Sequence, residues 1–329
     1  MKRPANLAGM RSGGRYICGV VLCAGAVVAL LGAGRASASQ TLGDLNVANL
    51  TLAVNAKGEA LLTYNRQNGR LRHVLVWGAI NALPPSQEVP QVRFQMDYSG
   101  GLARYHNPGY WESFQNVCKP YDGPPLVYVV AACDAPDGSY WAVQAWQRLL
   151  PMRGFDPWTA LQSSYGFNVS HWSGPPAVLD VTQNWTYDGS WTALDGRMTY
   201  DGQPVFGYKT PSATKRGDGY ARYVYIDTHD SVYGPGWRHD AAKVLHVGNG
   251  AFCYSFVPQK PPPGYPSDEL RGPAPGDLER VTVLGPGVTP DVQWAGPGLG
   301  TFDAQQDESY NQRFDELVGP NDKVCTNER

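Results

Sequence analysis

From Val47 to Asn81 the chain reads VANLTLAVN, AKGE, ALLTYNR, QNGR and LRHVLVWGAIN: apolar, β-branched or aromatic runs cut by turn sequences. Such punctuation commits this stretch to short strands, and Asn68-Gly69 has the residues that a tight hairpin turn requires. An antiparallel meander is therefore expected. The pattern continues downstream. Val92, Phe94, Met96 and Tyr98 alternate with Arg93, Gln95 and Asp97, as in a half-buried strand. Glycine (38) and proline (27) make up about a fifth of the 329 residues, while 42% hydrophobic and 12% aromatic content argues for a folded core. The expected fold is mostly β: an antiparallel, sandwich-like architecture with short helices.

The beginning of the chain has a different character. Lys2, Arg3, Arg11 and Arg15 precede an apolar stretch, Ile17 to Leu31, and Ala36-Ser37-Ala38 offers a small-residue cleavage site. Residues 1–38 are read as a signal peptide, with an uncleaved anchor as the alternative. Beyond residue 38 there are 22 Lys and Arg against 29 Asp and Glu, a net charge of -7. That sign disfavours nucleic acid as a partner. No stable membrane insertion is expected after cleavage, so the product is placed outside the cytoplasm, whether secreted, periplasmic or at the cell surface.

Four cysteines follow the leader: Cys118, Cys133, Cys253 and Cys325. In an oxidising compartment an even set reads as two disulfides, with three possible pairings. Proximity in sequence favours Cys118 with Cys133 and Cys253 with Cys325. The spacings are not those of a zinc site.

Further strands are expected at Leu126–Cys133 and Ser139–Leu150, joined through the turn DAPDG, then at Gly166–Trp172 and Ala177–Tyr187. In the last of these, Leu179, Val181, Trp185 and Tyr187 would face the core, and Asp180, Thr182, Asn184 and Thr186 the solvent. Trp141 and Trp146 are five apart in one strand, so alternation sends them to opposite faces. One of them is left for an interface, a second sheet or a ligand surface. The chain divides into a β-rich core, 39–257, with a sub-domain break near 190, and a Pro/Gly-rich arm, 258–329. Within the arm, Arg280–Leu284 reads as a strand and Asp303–Val318 as a helix, capped by Asp303 and carrying an apolar stripe of Tyr310, Phe314, Leu317 and Val318. A Cys253–Cys325 bond would strap that arm back.

Residues 196–207, GRMTYDGQPVFG, combine an alternating strand, a Gly-x-Pro turn and an apolar re-entry. This segment resembles the opening hairpin of transthyretin-like and carboxypeptidase-regulatory-like domains, which implies a small β-sandwich and no catalytic residues. Over a wider span, ARYHNPGYW, WAVQAWQRLLP, YGPGWR and GPGVTPDVQW are similar to a group of secreted proteins of high-GC bacteria without an assigned activity. That resemblance implies export and a shared fold.

Two sets of side chains are candidates for chemistry. Asp227, His229 and Asp230 could ligate a divalent metal, but turn-forming and solvated roles at a strand end account for them better, so no metal is expected. Trp111, Trp172, Trp191 and Trp237 lie beside Gly, Pro, Ser or His, where aromatic rings could form a binding surface. The nucleophile elbow, the H-E-x-x-H helix, the P-loop and the dinucleotide fingerprint are all missing, so no cofactor is expected. Glycosidase chemistry stays open because it needs only two carboxylates placed by the fold, among Asp97, Glu112, Asp180, Asp188 and Asp195. The leading expectation is a non-catalytic extracellular module that binds cell-envelope polymer or protein. The alternative is a secreted carboxylate-dependent hydrolase.

Overall fold

The computed structural model describes residues 39–80, 94–147, 164–186, 189, 191–205, 208–209, 222–232, 234–239, 242–246, 250–256, 276–284 and 289–318. The leader, residues 1–38, lies outside them. The first half contains β1 (Ser39–Thr41), β2 (Ala48–Val54), β3 (Ala60–Asn65), β4 (Leu71–Trp77), β5 (Gln95–Asp97), α1 (Leu102–Tyr105), β6 (Lys119–Pro120), β7 (Val129–Asp134), β8 (Tyr140–Gln147) and β9 (Tyr165–Trp172). The second half contains β10 (Val178–Thr186), β11 (Trp191–Tyr200), β12 (Gln203–Pro204), β13 (Tyr208–Lys209), β14 (Arg222–Ser231), β15 (Gly234–His239), β16 (Ala242–His246), β17 (Ala251–Phe256), β18 (Leu278–Leu284), β19 (Val292–Pro297) and α2 (Ala304–Val318).

Among the described residues the strands form four sheets, in the orders β2-β3-β4-β5, β1-β9-β8-β7-β6, β10-β11-β17-β16 with β12 on β11, and β13-β14-β18-β19 with β15 on β14. Their pairings there are antiparallel except the short β13–β14 contact. The expected meander is β2-β3-β4, turning at Gly69 with φ of 76°. A left-handed backbone of this kind costs glycine least.

Two cores account for the layering. Leu62, Tyr64, Val74 and Val76 of the first sheet pack with Trp141, Val143, Phe167 and Val169 of the second. Leu194, Met198 and Phe252 of the third sheet pack with Val224, Ile226, Val281 and Val283 of the fourth. In each sheet these residues recur at every second position, which buries one face. The change from one core to the other falls between Val169 and Ala177, and position 190, near which a sub-domain break is expected, lies outside the described residues. The stretch from 258 onward, set apart in the sequence as an arm, supplies β18 and β19 to the fourth sheet. Its Pro-rich part, 258–275, lies outside the described residues.

Cys118 and Cys133 are bonded, with Cα atoms 5.8 Å apart, and Cys133 is buried in the first core. The Cys253–Cys325 pairing falls outside the described residues because Cys325 does. Cys253 itself is buried with Ala251, Phe314 and Leu317, in the cluster that seats α2 on the third sheet.

Helix α2 begins as its sequence dictates. The Asp303 carboxylate accepts from the backbone N–H of Gln305 (2.9 Å) and Gln306 (3.0 Å), satisfying donors that the first helical turn leaves without partners. The helix overturns one expectation. Thr182 and Asn184, assigned to the wet face of β10, are buried. Asn184 donates to Asn311 of α2 at 3.0 Å, and Arg313 of α2 pairs with Asp180 at 2.8 Å. Both faces of this strand are therefore covered, one by the fourth sheet and one by α2.

The hairpin at 196–207 forms as its sequence suggests: Tyr200 pairs with Gln203 across Asp201-Gly202, and Met198, Tyr200 and Val205 are buried. Phe206 and Gly207 lie outside the described residues. Gly196 is required on packing grounds, because the Phe252 ring of β17 occupies the space a Cβ would need.

Candidate functional site

On the second sheet, β8 alternates strictly. Trp141 and Val143 enter the first core, while Ala142, Gln144 and Trp146 face the opposite way. That opposite face receives Asp291, at the start of β19. The Asp291 carboxylate accepts from Trp146 Nε1 (2.6 Å), Asn168 Nδ2 (2.7 Å) and Ser39 Oγ (3.1 Å). Gln144 completes the joint, donating to the Asp291 carbonyl at 3.1 Å and accepting from its N–H at 3.0 Å. Asp291 is 2% exposed, so a segment of the second half is sealed against the first.

Next to this joint lies a cleft of about 370 Å³. The first half contributes Tyr128, Trp146 and Tyr165. The second contributes Tyr225, Trp237, Thr282 and an ion pair, Asp227 with Arg280. Strand register explains why the latter share one face: Tyr225 is opposite Thr282, and Asp227 is opposite Arg280. Their neighbours Val224, Ile226, Val281 and Val283 point into the second core.

Arg280 organises the cleft. Its Nε donates to Asp227 Oδ2 at 2.6 Å, its Nη1 donates to the Tyr128 hydroxyl, and its Cζ lies 4.1 Å from the centre of the Trp237 ring. A cation over an indole face is held by the ring quadrupole. The two charges are 12% and 6% exposed, so each serves as the other's counterion in a partly dry setting. Tyr128 and Tyr165, at 45% and 47% exposed, stand at the mouth.

The four tryptophans singled out in the sequence are scattered. Of those whose side chains are described, only Trp237 lines the cleft. Trp111 stacks on His73 with ring centroids 4.0 Å apart, beside the first sheet. Trp172 is a correction: it is fully buried against Tyr121 and Tyr140, because β9 turns it into a satellite core and away from any ligand surface. Trp191 starts β11, and its side chain lies outside the described residues. Alternation in β8 was the signal that pointed to Trp146. Tyr128, Tyr165 and Arg280 carried none, since each reaches the site through long-range pairing.

The candidate metal set separates in the same way. Asp227 turns to Arg280, while His229 and Asp230 meet Asp277, with one ligand atom of each within 4.8 Å of the others. Those groups already have structural partners. His229 Nδ1 lies 2.8 Å from Asp277, and Asp230 Oδ1 accepts the Gly236 N–H at 2.6 Å where the β14–β15 hairpin is bulged. All three could ligate a cation, but Asp230 is accounted for by hairpin closure, and His229 with Asp277 by the junction of β14 with the start of β18.

Among the carboxylates named for hydrolytic chemistry, Asp97 caps a turn. It accepts from the N–H groups of Ser99, Gly101, Ala103 and Arg104. Burial pushes its pKa up, but these bonds hold it below the ordinary aspartate value. Asp180 pairs with Arg313, Glu112 is exposed, Asp195 is buried in β11 and Asp188 lies outside the described residues. Of the described four, none lines the cleft.

Two further buried titratable groups belong to the scaffold. Glu59 accepts from Asn55, Tyr105, Tyr110 and Arg104. Burial raises its pKa, and these partners outweigh that effect and lower it. Asp137, Ser139 and His171 form a chain, with Ser139 Oγ 2.6 Å from Asp137 and 2.8 Å from His171 Nε2. The serine, not the histidine, occupies the middle, and His171 Nδ1 donates to the Gly78 carbonyl at 2.8 Å. A catalytic triad needs the reverse order, with the histidine between nucleophile and acid. This chain ties the β7–β8 turn to the loop after β4.

No family model matches the chain, and neither a curated protein nor a solved structure matches it. Among the described residues, no helix is long and apolar enough to cross a membrane.

Proposed function

We propose that this protein is an exported, non-catalytic binding module of the cell envelope, and that the cleft between its halves is the binding site. In this reading residues 1–38 direct export, the mature chain works outside the cytoplasm, two disulfides brace it, and its four sheets make two β-sandwiches. The observation that carries the reading is the convergence of Tyr128, Trp146, Tyr165, Tyr225 and Trp237, from both halves, on one cleft whose lining charges, among the described residues, are paired with each other. Aromatic rings with polar edges are the side chains that contribute most to recognition surfaces. The bonded Cys118–Cys133 pair supports an oxidising compartment.

The rival, a carboxylate-dependent hydrolase, draws its support from Asp227, a carboxylate that lines the cleft. Such chemistry requires a second carboxylate across the scissile bond, and the Asp227 side chain is engaged by Arg280. Pull-downs of purified protein on cell-wall and polysaccharide preparations, run beside glycosidase assays, separate the two readings. Retention without turnover, lost in Trp237→Ala, is the expected result. Turnover that disappears in Asp227→Asn would establish the rival.

A further inference from the structure

The geometry points to a neutral saccharide as the ligand of the cleft, an inference that rests on the cleft being the binding site. Shape and chemistry narrow the choice. A sugar ring has an apolar C–H face and a rim of hydroxyls, so it suits a wall that combines aromatic faces with hydroxyl groups. The cleft offers the rings of Trp237, Tyr128 and Tyr165 beside the largely buried Trp146, with the tyrosine hydroxyls as polar handles. A guanidinium has five N–H donors, of which Asp227 and Tyr128 engage two. The Arg280–Asp227 pair thus presents fixed donors to hydroxyl groups while remaining neutral as a unit.

That neutrality decides against charged ligands. A uronate or phosphate entering the cleft would leave water to meet a guanidinium already compensated by Asp227, and burying an uncompensated charge is costly. Asp230 in β14 and Asp277 just before β18 lie beyond it, next to His229, and the mature chain is acidic, so the surroundings repel anions as well. Position decides against a peptide docking as an added strand. The second-half wall of the cleft is mostly the face of β14 and β18, both flanked by neighbours, with the Trp237 side chain added from β15, so a ligand there meets side chains and not a row of unpaired backbone groups. At about 370 Å³ the cleft is near the lower end of the range for small-ligand pockets, roughly 300 to 1,000 Å³. It has room for a short saccharide unit, such as the end of a chain.

The test is titration of the full mature protein with cellobiose, maltose and di-N-acetylchitobiose, and with a uronic-acid disaccharide, followed by tryptophan fluorescence and calorimetry. At least one neutral disaccharide is expected to bind saturably, and the uronate at least about tenfold more weakly. Trp237→Ala should weaken binding at least about tenfold. Tyr165→Ala, at an exposed position that carries little folding risk, should weaken it several-fold with an unchanged circular dichroism spectrum. The inference is overturned if no neutral sugar binds, or if the uronate binds more tightly. Envelope pull-downs with the same variants distinguish the two failures. If sugars are silent but Tyr165→Ala abolishes retention of an envelope protein, the ligand class is wrong and the site is right. If both variants retain envelope material as the wild type does, the cleft is not the binding site and both proposals go.

Discussion

Trp146 Nε1 donates to the carboxylate of Asp291 at 2.6 Å, across 145 residues of sequence. The bond joins the outer face of the second sheet to the first residue before β19, and it also fixes one wall of the cleft. Asn168 and Ser39 share the same carboxylate. Replacing Asp291 by alanine removes the acceptor of the buried Trp146 and Asn168 donors at once. An unsatisfied buried donor costs about 1 to 3 kcal/mol, so Asp291→Ala is expected to lose at least about 2 kcal/mol in urea denaturation. Trp146→Phe, which keeps the ring and removes the donor, should lose less. A melting curve for Asp291→Ala that overlays the wild type would show that the joint contributes nothing.

His171 gives the fold a defined response to acid. Burial lowers its pKa to about 4, against the unperturbed value of about 6.5 for free histidine. Between these values the unfolded chain binds a proton that the folded one does not, so stability rises with pH through this window. It is complete above about pH 6.5 and falls as the pH drops toward 4, by up to about 3 kcal/mol for a shift of this size. Urea denaturation at pH 7.5, 5.5 and 4.5 measures the slope, and His171→Gln should flatten it. An equal slope in that variant would assign the acid response to other groups.

The cysteines predict a simple map. Peptide digestion under non-reducing conditions should recover Cys118 joined to Cys133, and Cys253 joined to Cys325. Removing the first bond in a Cys118→Ala, Cys133→Ala double variant opens a loop with a sequence separation of 15. The chain-entropy model then gives a loss of about 3 kcal/mol. Recovery of Cys118 with Cys253 would overturn the map.

Helix α2 should respond to its cap and its anchor by different amounts. Asp303→Ala removes the acceptor for two N–H groups, and helix caps are worth about 1 kcal/mol. Phe314→Ala empties a site that is 1% exposed, against Ala251 and Leu317, and large-to-small changes of this kind cost about 3 to 5 kcal/mol. Thermal melts of the two variants should therefore fall in that order.

Local chemistry made much of the fold legible. Asn68-Gly69, DAPDG and Asp303 each act within a few residues, and each marks a feature found there. Alternation was equally dependable inside a strand, where it set Trp141 and Trp146 on opposite sides. What alternation cannot supply is the identity of the covering layer. Asn184 reads as solvated until α2 is known to lie over it, and Trp172 reads as a loop aromatic until Tyr121 and Tyr140 enclose it. The cleft was illegible for the same reason. Arg280 and Tyr128 are 152 positions apart and meet only through sheet pairing. Nothing in either neighbourhood announces the other.

The Asp291 joint also bears on how such a protein can be inherited. Ser39, Gln144 and Asn168 find their partner only when the far part of the polypeptide has arrived. Shuffling the N-terminal portion onto another gene would therefore transplant an incomplete object, with a polar socket and no plug. Either portion alone would open the joint to water, which can take over the hydrogen bonds of Asp291 and its partners, but would also uncover the Trp146 ring that the joint now buries.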